Sequence, residues 1–258
     1  MFTTHEILLC LALKYKGNWD EIYQAIRNKK RITEEEGKNL LSSYKSDAKV
    51  VVITDPDYPE ALKKIYRPPF VLFYYGDFSS IKSQKHCVSY VGSRDSSAYG
   101  EKMAKEIASG LAEKGYVIVS GMAKGIDGVA TKAALDAGGR AVGILGSGID
   151  VCYPNSNEDI YKRLKTEGLL LSEYPEEVSP NKENFPARNR LIAGLSEVVV
   201  VGEADRHSGT LITVNYALEG GKEVACLPYP ADQDSACNLL IKDGATLVTS
   251  AEDVIEML

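Results

Sequence analysis

The sequence has few of the residues that metal centres and disulfide frameworks require. Its 258 residues include three histidines and five cysteines, and the cysteines are scattered with no C-x-x-C pair. Such a set argues against a disulfide framework or a zinc site and favours a reducing compartment. We therefore expect a cytoplasmic protein that holds no metal.

Long apolar runs are also missing. No stretch approaches the roughly 18 residues that a membrane span needs. The N-terminal segment MFTTHEILLCLALKYKG has a short apolar core but lacks the basic start of a signal peptide. We expect an amphipathic helix there and no membrane partner.

Positive charge is in deficit. The formal net charge is −6 and the pI is about 5.3. Binding to nucleic acid depends on neutralising phosphates, so the overall charge speaks against it. Any nucleic-acid site must therefore be a local basic patch.

The pattern of apolar residues divides the chain in two. Residues 1–46 show helical spacing and predict a small unit of three short helices. Residues 47–258 alternate short, almost wholly apolar strands with helices, which predicts an α/β fold with a doubly wound, mostly parallel sheet. In such sheets ligands bind at the carboxyl ends of the strands.

Four predicted strand-to-helix turns share glycines, hydroxyls and, in two cases, a basic residue. Glycine lets a ligand approach the backbone, and the amides of a helix start can hold an anion. Each turn alone is also consistent with a simple tight turn, and each basic residue with a solvated surface charge. Together they predict phosphate contacts from Gly92, Ser93, Arg94, Ser120, Gly121, Lys124, Gly125, Gly146, Ser147, Gly148, Ser208, Gly209 and Thr210.

Known cofactor motifs and catalytic groups are absent. The chain has neither the G-x-G-x-x-G dinucleotide fingerprint nor a P-loop, and His207 is the only histidine in these turns. We therefore expect no cofactor and no catalytic residue. Glu173 and Glu203 could be paired carboxylates or helix caps, but holding nearby arginines in place is the favoured reading. Asp127 is left open between a helix cap and a ligand contact, and Tyr153 is expected to pack rather than stack.

The stretch NFPARNRLIAGLSEVVVVGEA, from Asn184 to Ala204, places Arg188 and Arg190 between a proline and an apolar run. Positive charge in the first turn of a helix opposes the helix dipole. We therefore expect both arginines to meet a bound anion at the helix start.

The motifs GSR, SGMAKGID, GSGIDVCYP, SEYP, FPARNRLIAGLS, EADRHSGTLIT and NLLIKDGA, in this order, closely resemble those of the DNA-processing protein A family (DprA/Smf). The resemblance covers about Val50 to Ser250. It implies an extended Rossmann-like fold preceded by a sterile-alpha-motif-like helical domain. It also implies a homodimeric, non-enzymatic protein that binds and protects single-stranded DNA and helps the recombinase RecA assemble on strands coated with single-strand-binding protein, as in natural transformation.

The resemblance also carries site residues. The family's basic DNA-contacting positions fall on Arg94 and Lys124, and its Phe-Pro-x-Arg-Asn-Arg run falls on Phe185, Arg188, Asn189 and Arg190. Two departures stand out. The chain ends at Leu258, without room for the winged-helix domain of many members, and Tyr229 replaces an expected glycine.

A nucleotide-processing enzyme is the alternative. Nucleoside-monophosphate phosphoribohydrolases share this fold and carry a catalytic glutamate three residues after a Gly-Thr pair. Thr213 occupies that position here, and a threonine cannot act as a general base near neutral pH. A structural adaptor with empty loops is a third reading.

Overall fold

Three short, capped helices open the chain in the computed structural model, which describes residues 2–81 and 86–258. They are α1 (Thr4–Lys14), α2 (Trp19–Arg27) and α3 (Glu34–Ser43). The side chains of Thr3, Asn18 and Thr33 each accept a hydrogen bond from a first-turn amide. These bonds satisfy amides that a helix start leaves without an intrahelical partner. The three predicted helices are confirmed.

A single sheet follows. Its strands are β1 (Lys49–Val52), β2 (Val71–Gly76), β3 (Cys87–Gly92), β4 (Val117–Ser120), β5 (Ala141–Ile144), β6 (Leu169–Ser172), β7 (Val198–Glu203), β8 (Glu223–Cys226) and β9 (Thr246–Leu247). Their spatial order is β1-β2-β6-β5-β4-β3-β7-β8-β9. β1 and β2 pair antiparallel, as do β2 and β6, and all other pairs are parallel.

The remaining helices connect these strands and cover the sheet. They are α4 (Glu60–Lys63), α5 (Ala98–Glu113), α6 (Ile126–Asp136), α7 (Glu158–Glu167), α8 (Asn184–Gly194), α9 (Thr210–Glu219), α10 (Ala236–Lys242) and α11 (Ala251–Ile255). α5 packs on α6, and α8 packs on α9. Across the described ranges, no helix is both long and apolar enough to cross a membrane.

The strand order creates a switch point between β3 and β7. From β3 the chain steps outward through β4, β5 and β6, then returns past β3 to place β7 on its other side. The loops that leave β3 and β7 therefore run in opposite directions and leave a crevice between them. The predicted doubly wound fold is confirmed, and its topology fixes where a ligand site can form.

The N-terminal helices share a core with the sheet. Leu8 and Leu11 of α1 belong to the same buried apolar cluster as Val51 and Val52. The Trp19 indole donates a hydrogen bond to the Pro68 carbonyl at 2.8 Å. A domain boundary at residue 46 stays a prediction, because the helical unit is packed directly on the first strands.

Candidate nucleic-acid interface

A cavity of about 690 Å³ lies at the switch point, beyond the carboxyl ends of β3 and β7. We call it the switch-point cavity. The exposed charged and histidine side chains at its mouth are Arg94, Asp95, Lys182, Asp205 and His207. Other residues of its lining are Val91, Gly92, Ser93, Ala123, Asp127, Tyr153, Phe185, Pro186, Arg188, Asn189, Ile192, Ser208, Gly209, Thr210, Ile212 and Thr213.

Asp127 and Arg188 form the floor of this cavity. Both are buried, and the Arg188 guanidinium donates to the carbonyl oxygens of Gly121 and Ile144. Asp127 accepts hydrogen bonds from the amides of Gly92 at 3.2 Å and Gly121 at 3.1 Å. Burial lowers the pKa of Arg188 to about 10, and the neighbouring Asp127 acts in the opposite direction. The floor therefore joins the ends of β3 and β5 and the loop after β4, and its two charges offset each other.

The loop after β4 packs against Asp127 and Arg188. A Cβ atom at Gly121 would lie 2.7 Å from Asp127 Oδ2 and 2.9 Å from Arg188 Cζ, so a side chain there would displace both groups. Ser120 is fully buried, and its hydroxyl donates to the Tyr90 carbonyl at 2.8 Å. Neither residue offers a group to a ligand. Asp127 ties these loops together and also lines the cavity, so a contact between Asp127 and a ligand stays a prediction.

Two cations at the mouth have no ion-pair partner in the part of the chain that the structure describes. Within residues 2–81 and 86–258, neither Arg94 nor Lys182 makes a salt bridge, and both side chains are exposed. Lys124 lies beside this mouth in an adjoining hollow that Arg94 also lines, with its Nζ 3.7 Å from Asp95 Oδ1. Arg94 and Lys182 are therefore the cations that an anionic ligand meets without breaking an existing pair.

The mouth is not uniformly positive. Asp95 and Asp205 line it together with Arg94 and Lys182. The expected basic patch is therefore small, and attraction to a polyanion rests on a few side chains. A site of this kind predicts a modest dependence of binding on salt.

A row of aromatic and cationic groups flanks the mouth. The Arg94 guanidinium lies 5.6 Å from the centroid of the Phe185 ring, and the Tyr153 ring lies 5.5 Å from the same centroid. Tyr153 is 46% exposed, although it packs on Phe185 as expected. A Cβ atom at Gly146 would lie 2.6 Å from Phe185 Cδ1, so the absence of a side chain there leaves room for the ring. Tyr153 can thus both pack and offer ring surface to a ligand.

The arginines of α8 lie at positions different from the one expected. α8 begins at Asn184, so Arg188 and Arg190 lie beyond its first turn, and the predicted conflict with the helix dipole is wrong. Arg190 is buried and forms a two-bond ion pair with Glu173, at 2.7 Å and 2.6 Å. Arg190 therefore anchors α8 to the end of β6. The expectation that Glu173 holds an arginine is confirmed.

Glu203 caps a helix, which was one of the alternatives that the sequence left open. Its carboxylate accepts hydrogen bonds from the Ser97 amide at 2.9 Å and the Ser97 hydroxyl at 3.0 Å, at the start of α5. The favoured reading, that Glu203 holds an arginine, is wrong. Tyr229 is buried beside it, and its hydroxyl donates to the Gly202 carbonyl at 2.7 Å. The loop that departs from the family pattern is thus packed against the end of β7.

The loop after β5 is closed. The Ser147 hydroxyl donates to the Val151 carbonyl at 3.1 Å, and the Gly148 amide donates to the Val178 carbonyl at 2.7 Å. A Cβ atom at Gly148 would lie only 1.9 Å from the Glu176 carbonyl oxygen. This sealed loop (residues 146–151) therefore presents no phosphate cradle.

The start of α9 is open. Gly209 is exposed, and a Cβ atom there would meet nothing within 4 Å. The Ser208 hydroxyl lies 3.0 Å from the Thr210 hydroxyl and accepts from the Thr210 amide at 3.2 Å. This helix start is the one among the predicted turns that faces the cavity with space before it.

The structure brings about half of the predicted residues together. Those lining the cavity are Gly92, Ser93, Arg94, Phe185, Arg188, Asn189, Ser208, Gly209 and Thr210. Lys124 and Gly125 line the adjoining hollow. Ser120, Gly121, Gly146, Ser147, Gly148 and Arg190 are absent from both linings. Sequence reasoning missed Lys182, which lies three residues before Phe185 in a polar run with no motif of its own.

Comparison with known proteins identifies the family of the chain. Residues 49–258 match the family described as DNA recombination-mediator protein A. The chain belongs to this family. The predicted resemblance is therefore confirmed.

Individual relatives support the assignment. The DNA processing protein DprA of Streptococcus pneumoniae is 44% identical over 205 residues, which cover 79% of this chain and 72% of the relative. The Smf protein of Synechocystis is 42% identical over 208 residues, 79% of this chain. This chain spans about half the length of that relative, at 52%.

Two solved structures share the fold. The X-ray structure of S. pneumoniae DprA superimposes with a TM-score of 0.80 at 36% identity, covering 98% of this chain and 93% of the other. A structure of DNA processing protein A from Helicobacter pylori gives a TM-score of 0.74 at 30% identity, covering 82% and 96%. The H. pylori structure provides insights into the single-stranded DNA binding mode of that protein.

Proposed function

We propose that this protein binds single-stranded DNA at the switch-point cavity. The observation that carries the proposal is the row of Arg94, Phe185 and Tyr153 beside the unpaired Lys182. Cations that lack an ion pair are suited to the phosphates of a strand, and exposed aromatic rings are suited to its bases. The open helix start at Gly209 adds a favourable end of the helix dipole.

Single strands suit this surface better than duplex. A base in a duplex has both faces covered by its neighbours, whereas an unpaired base can stack on Tyr153 or Phe185. The cations are few, so phosphate attraction alone gives only weak binding. The aromatic contact is therefore what separates the two forms of DNA.

We extend the proposal from DNA binding to the recombination-mediator role that the family implies. A recombination mediator holds a strand while the recombinase RecA assembles on it, in competition with single-strand-binding protein, and protects incoming strands in natural transformation. We place this protein in the cytoplasm, where those partners are. The single-stranded DNA binding mode of the H. pylori relative supports the binding step.

A homodimer is part of the same proposal. Leu218, Leu239 and Leu247 of α9, α10 and β9 are 58%, 39% and 49% exposed. Exposed apolar side chains are candidates for contact with a partner. They lie on the elements after β7, which supports a pairing surface in the last part of the sheet.

Binding without catalysis is the reading that we favour. Thr213 lines the cavity where a phosphoribohydrolase would place its general base, and its hydroxyl does not accept a proton near neutral pH. Incubation with nucleoside monophosphates should therefore release no free base. Base release that disappears in a Thr213→Val variant would support the enzyme instead.

The binding proposal is tested by a salt series with a labelled oligonucleotide. Arg94→Ala and Lys182→Ala should each weaken binding to all sequences alike and reduce the salt slope by about 0.7. Ser147→Ala, in the sealed loop, is the matched control and should bind like the parent. Parental affinity and slope in both cation variants would refute the assignment of the site.

A further inference from the structure

The helical unit at the start of the chain carries a groove between α1, α2 and the beginning of α3, with a volume of about 670 Å³. We call it the N-terminal groove and define it by Ile7, Leu11, Ile26, Lys29 and Arg31. We infer that it binds an acidic amphipathic helix of a partner protein, whose apolar face lies on the floor and whose carboxylates meet the rim. The inference goes beyond DNA binding, and none of the described residues lines both this groove and the switch-point cavity.

The floor of the groove is apolar and only partly covered. Leu8 and Leu11 of α1 are 6% and 2% exposed and belong to the core. Ile7 and Ile26, which line the same groove, are 40% and 39% exposed. The apolar interior of the helical unit thus reaches the surface here. Burial of these side chains against a partner would remove them from water, which favours binding.

One wall of the groove is held in place at a cost to α3. Phe2 lines the groove and is half-buried, and a Cβ atom at Gly37 would overlap its ring. A glycine inside a helix is less favourable than an alanine by about 1 kcal/mol. Gly37 therefore makes room for the Phe2 ring, which has a defined position against α3.

Positive charge at the rim is not compensated. Lys29 and Arg31 are exposed, and neither forms a salt bridge within residues 2–81 and 86–258. The two carboxylates of the lining are already engaged, since Glu6 belongs to the capping box of α1 and Glu34 pairs with Lys38 at 2.8 Å. The rim is therefore locally basic in a chain whose formal net charge is −6. An acidic ligand meets these cations without breaking an existing ion pair.

A peptide helix suits these features better than a nucleic-acid strand does. The exposed floor residues Ile7 and Ile26 are aliphatic, and aliphatic side chains offer no ring on which a base can stack. Phe2, the aromatic residue of the lining, is half-buried against α3. An amphipathic helix instead places apolar side chains at positions i, i+3, i+4 and i+7 into an apolar groove. Carboxylates beside that apolar face are complementary to Lys29 and Arg31.

The test titrates the full chain against synthetic peptides labelled with fluorescein, followed by anisotropy at low salt. The acidic probe is about 15 residues long, a length at which an isolated helix can form, with leucines on one face and glutamates on the other. A second probe has lysine in place of each glutamate, and a third has the acidic sequence scrambled. The acidic probe should bind. The other two should bind at least about tenfold more weakly, because like charges meet at the rim or the apolar face is lost.

Substitutions in the groove show whether the probe binds there. Ile26→Ala should weaken binding of the acidic probe about 3- to 8-fold, because the exposed part of the side chain is no longer buried on binding. Lys29→Ala/Arg31→Ala should weaken it about 2- to 30-fold, the range for two exposed ion pairs, and reduce its dependence on salt. Lys16→Ala/Arg27→Ala removes the same charge from exposed residues outside the lining, and this matched control should bind like the parent.

Binding of a dT oligonucleotide separates this inference from the proposed function. All three variants should bind it like the parent, because none of them changes the switch-point cavity. Failure of the parent to bind the oligonucleotide would refute the proposed function alone. Parental affinity of Ile26→Ala and Lys29→Ala/Arg31→Ala for the acidic probe would overturn the inference, as would equal binding of the acidic and the lysine probes.

Two other occupants of the groove would give different results. Weaker oligonucleotide binding in Lys29→Ala/Arg31→Ala, without binding of the acidic probe, would indicate a nucleic-acid surface. A concentration-dependent oligomer that dissociates in Ile26→Ala, measured by analytical ultracentrifugation, would indicate that a second copy of this chain covers the groove. Either result overturns the inference.

Discussion

Two turns of the molecule begin with the same Gly-Ser pair and differ in everything else. Gly92 ends β3, and Ser93 leads to Arg94 at the mouth of the switch-point cavity. Gly146 and Ser147 follow β5 and lie under Phe185 and in the sealed loop. The pair itself therefore indicates a turn, and its position in the sheet decides whether a ligand can reach it.

The reason lies in the neighbouring connections. The crevice beside β3 stays open because the next strand in space, β7, sends its loop in the opposite direction. The loop after β5 has β6 beside it, and the segment that follows β6 folds over it through the bond from Gly148 to Val178. The same division separates the exposed Arg94 from Arg190, which is locked to Glu173 on the sealed side.

The largest expected effect is on the stability of the sealed side. Arg190→Ala leaves Glu173 as a buried charge without its partner, and should lower the free energy of unfolding by about 3–5 kcal/mol. Urea denaturation measures it. Arg94→Ala should change that free energy by less than about 0.5 kcal/mol. Similar free energies of unfolding for the two variants would contradict the difference between the buried, paired Arg190 and the exposed Arg94.

A second substitution probes the two kinds of turn directly. Gly148→Ala places a Cβ atom 1.9 Å from the Glu176 oxygen and 2.5 Å from the Val178 nitrogen, both of them backbone atoms. We expect a cost of about 1–3 kcal/mol from the forced shift, read from urea midpoints. Gly209→Ala is the matched control, since its Cβ meets nothing within 4 Å. An unaltered midpoint for Gly148→Ala would show that the loop is not sealed.

Tyr153→Ala tests whether the switch-point cavity uses an aromatic ring to bind single strands. Loss of a stacking ring should weaken single-strand binding by about 1–3 kcal/mol, which corresponds to roughly 5- to 150-fold. Binding to duplex should not change. Tyr66→Ala removes another exposed tyrosine, 63% exposed and outside the cavity lining, and should leave both affinities as in the parent. An equal loss for duplex would mean that Tyr153 contributes through the backbone rather than through a base.

The smallest expected effect is on the alkylation rate of Cys152, the residue before Tyr153, when a strand is bound. Partial burial raises the pKa of the Cys152 thiol, so alkylation at pH 8 should be slower than for a free cysteine and should accelerate as pH rises. Burial raises the pKa of Cys87 to about 12, and that thiol should not react in the native protein. A bound dT oligonucleotide should slow alkylation of Cys152 severalfold, measured by mass spectrometry. An unchanged rate with saturating oligonucleotide would place the strand elsewhere.

Much of the fold and part of the candidate site were predictable from the sequence because they depend on local patterns. The almost wholly apolar strands and the glycines after the helices predicted a doubly wound sheet, and the order of the motifs predicted the family. The glutamate partner of Arg190 was also expected. Lys182 was missed, because an isolated lysine in a polar loop carries no pattern, and Glu203 was assigned to the wrong partner.

The residue types and their order along the chain determined the fold and the edge of the sheet at which a site can form. Only the packed structure decided which side chains remain available there. Burial and pairing depend on segments far apart in sequence: Gly148 meets Val178, and Arg188 reaches the loops after β4 and β5. Such contacts leave Arg94, Lys182 and Tyr153 open to a ligand, and no short-range pattern distinguishes these residues from the closed ones.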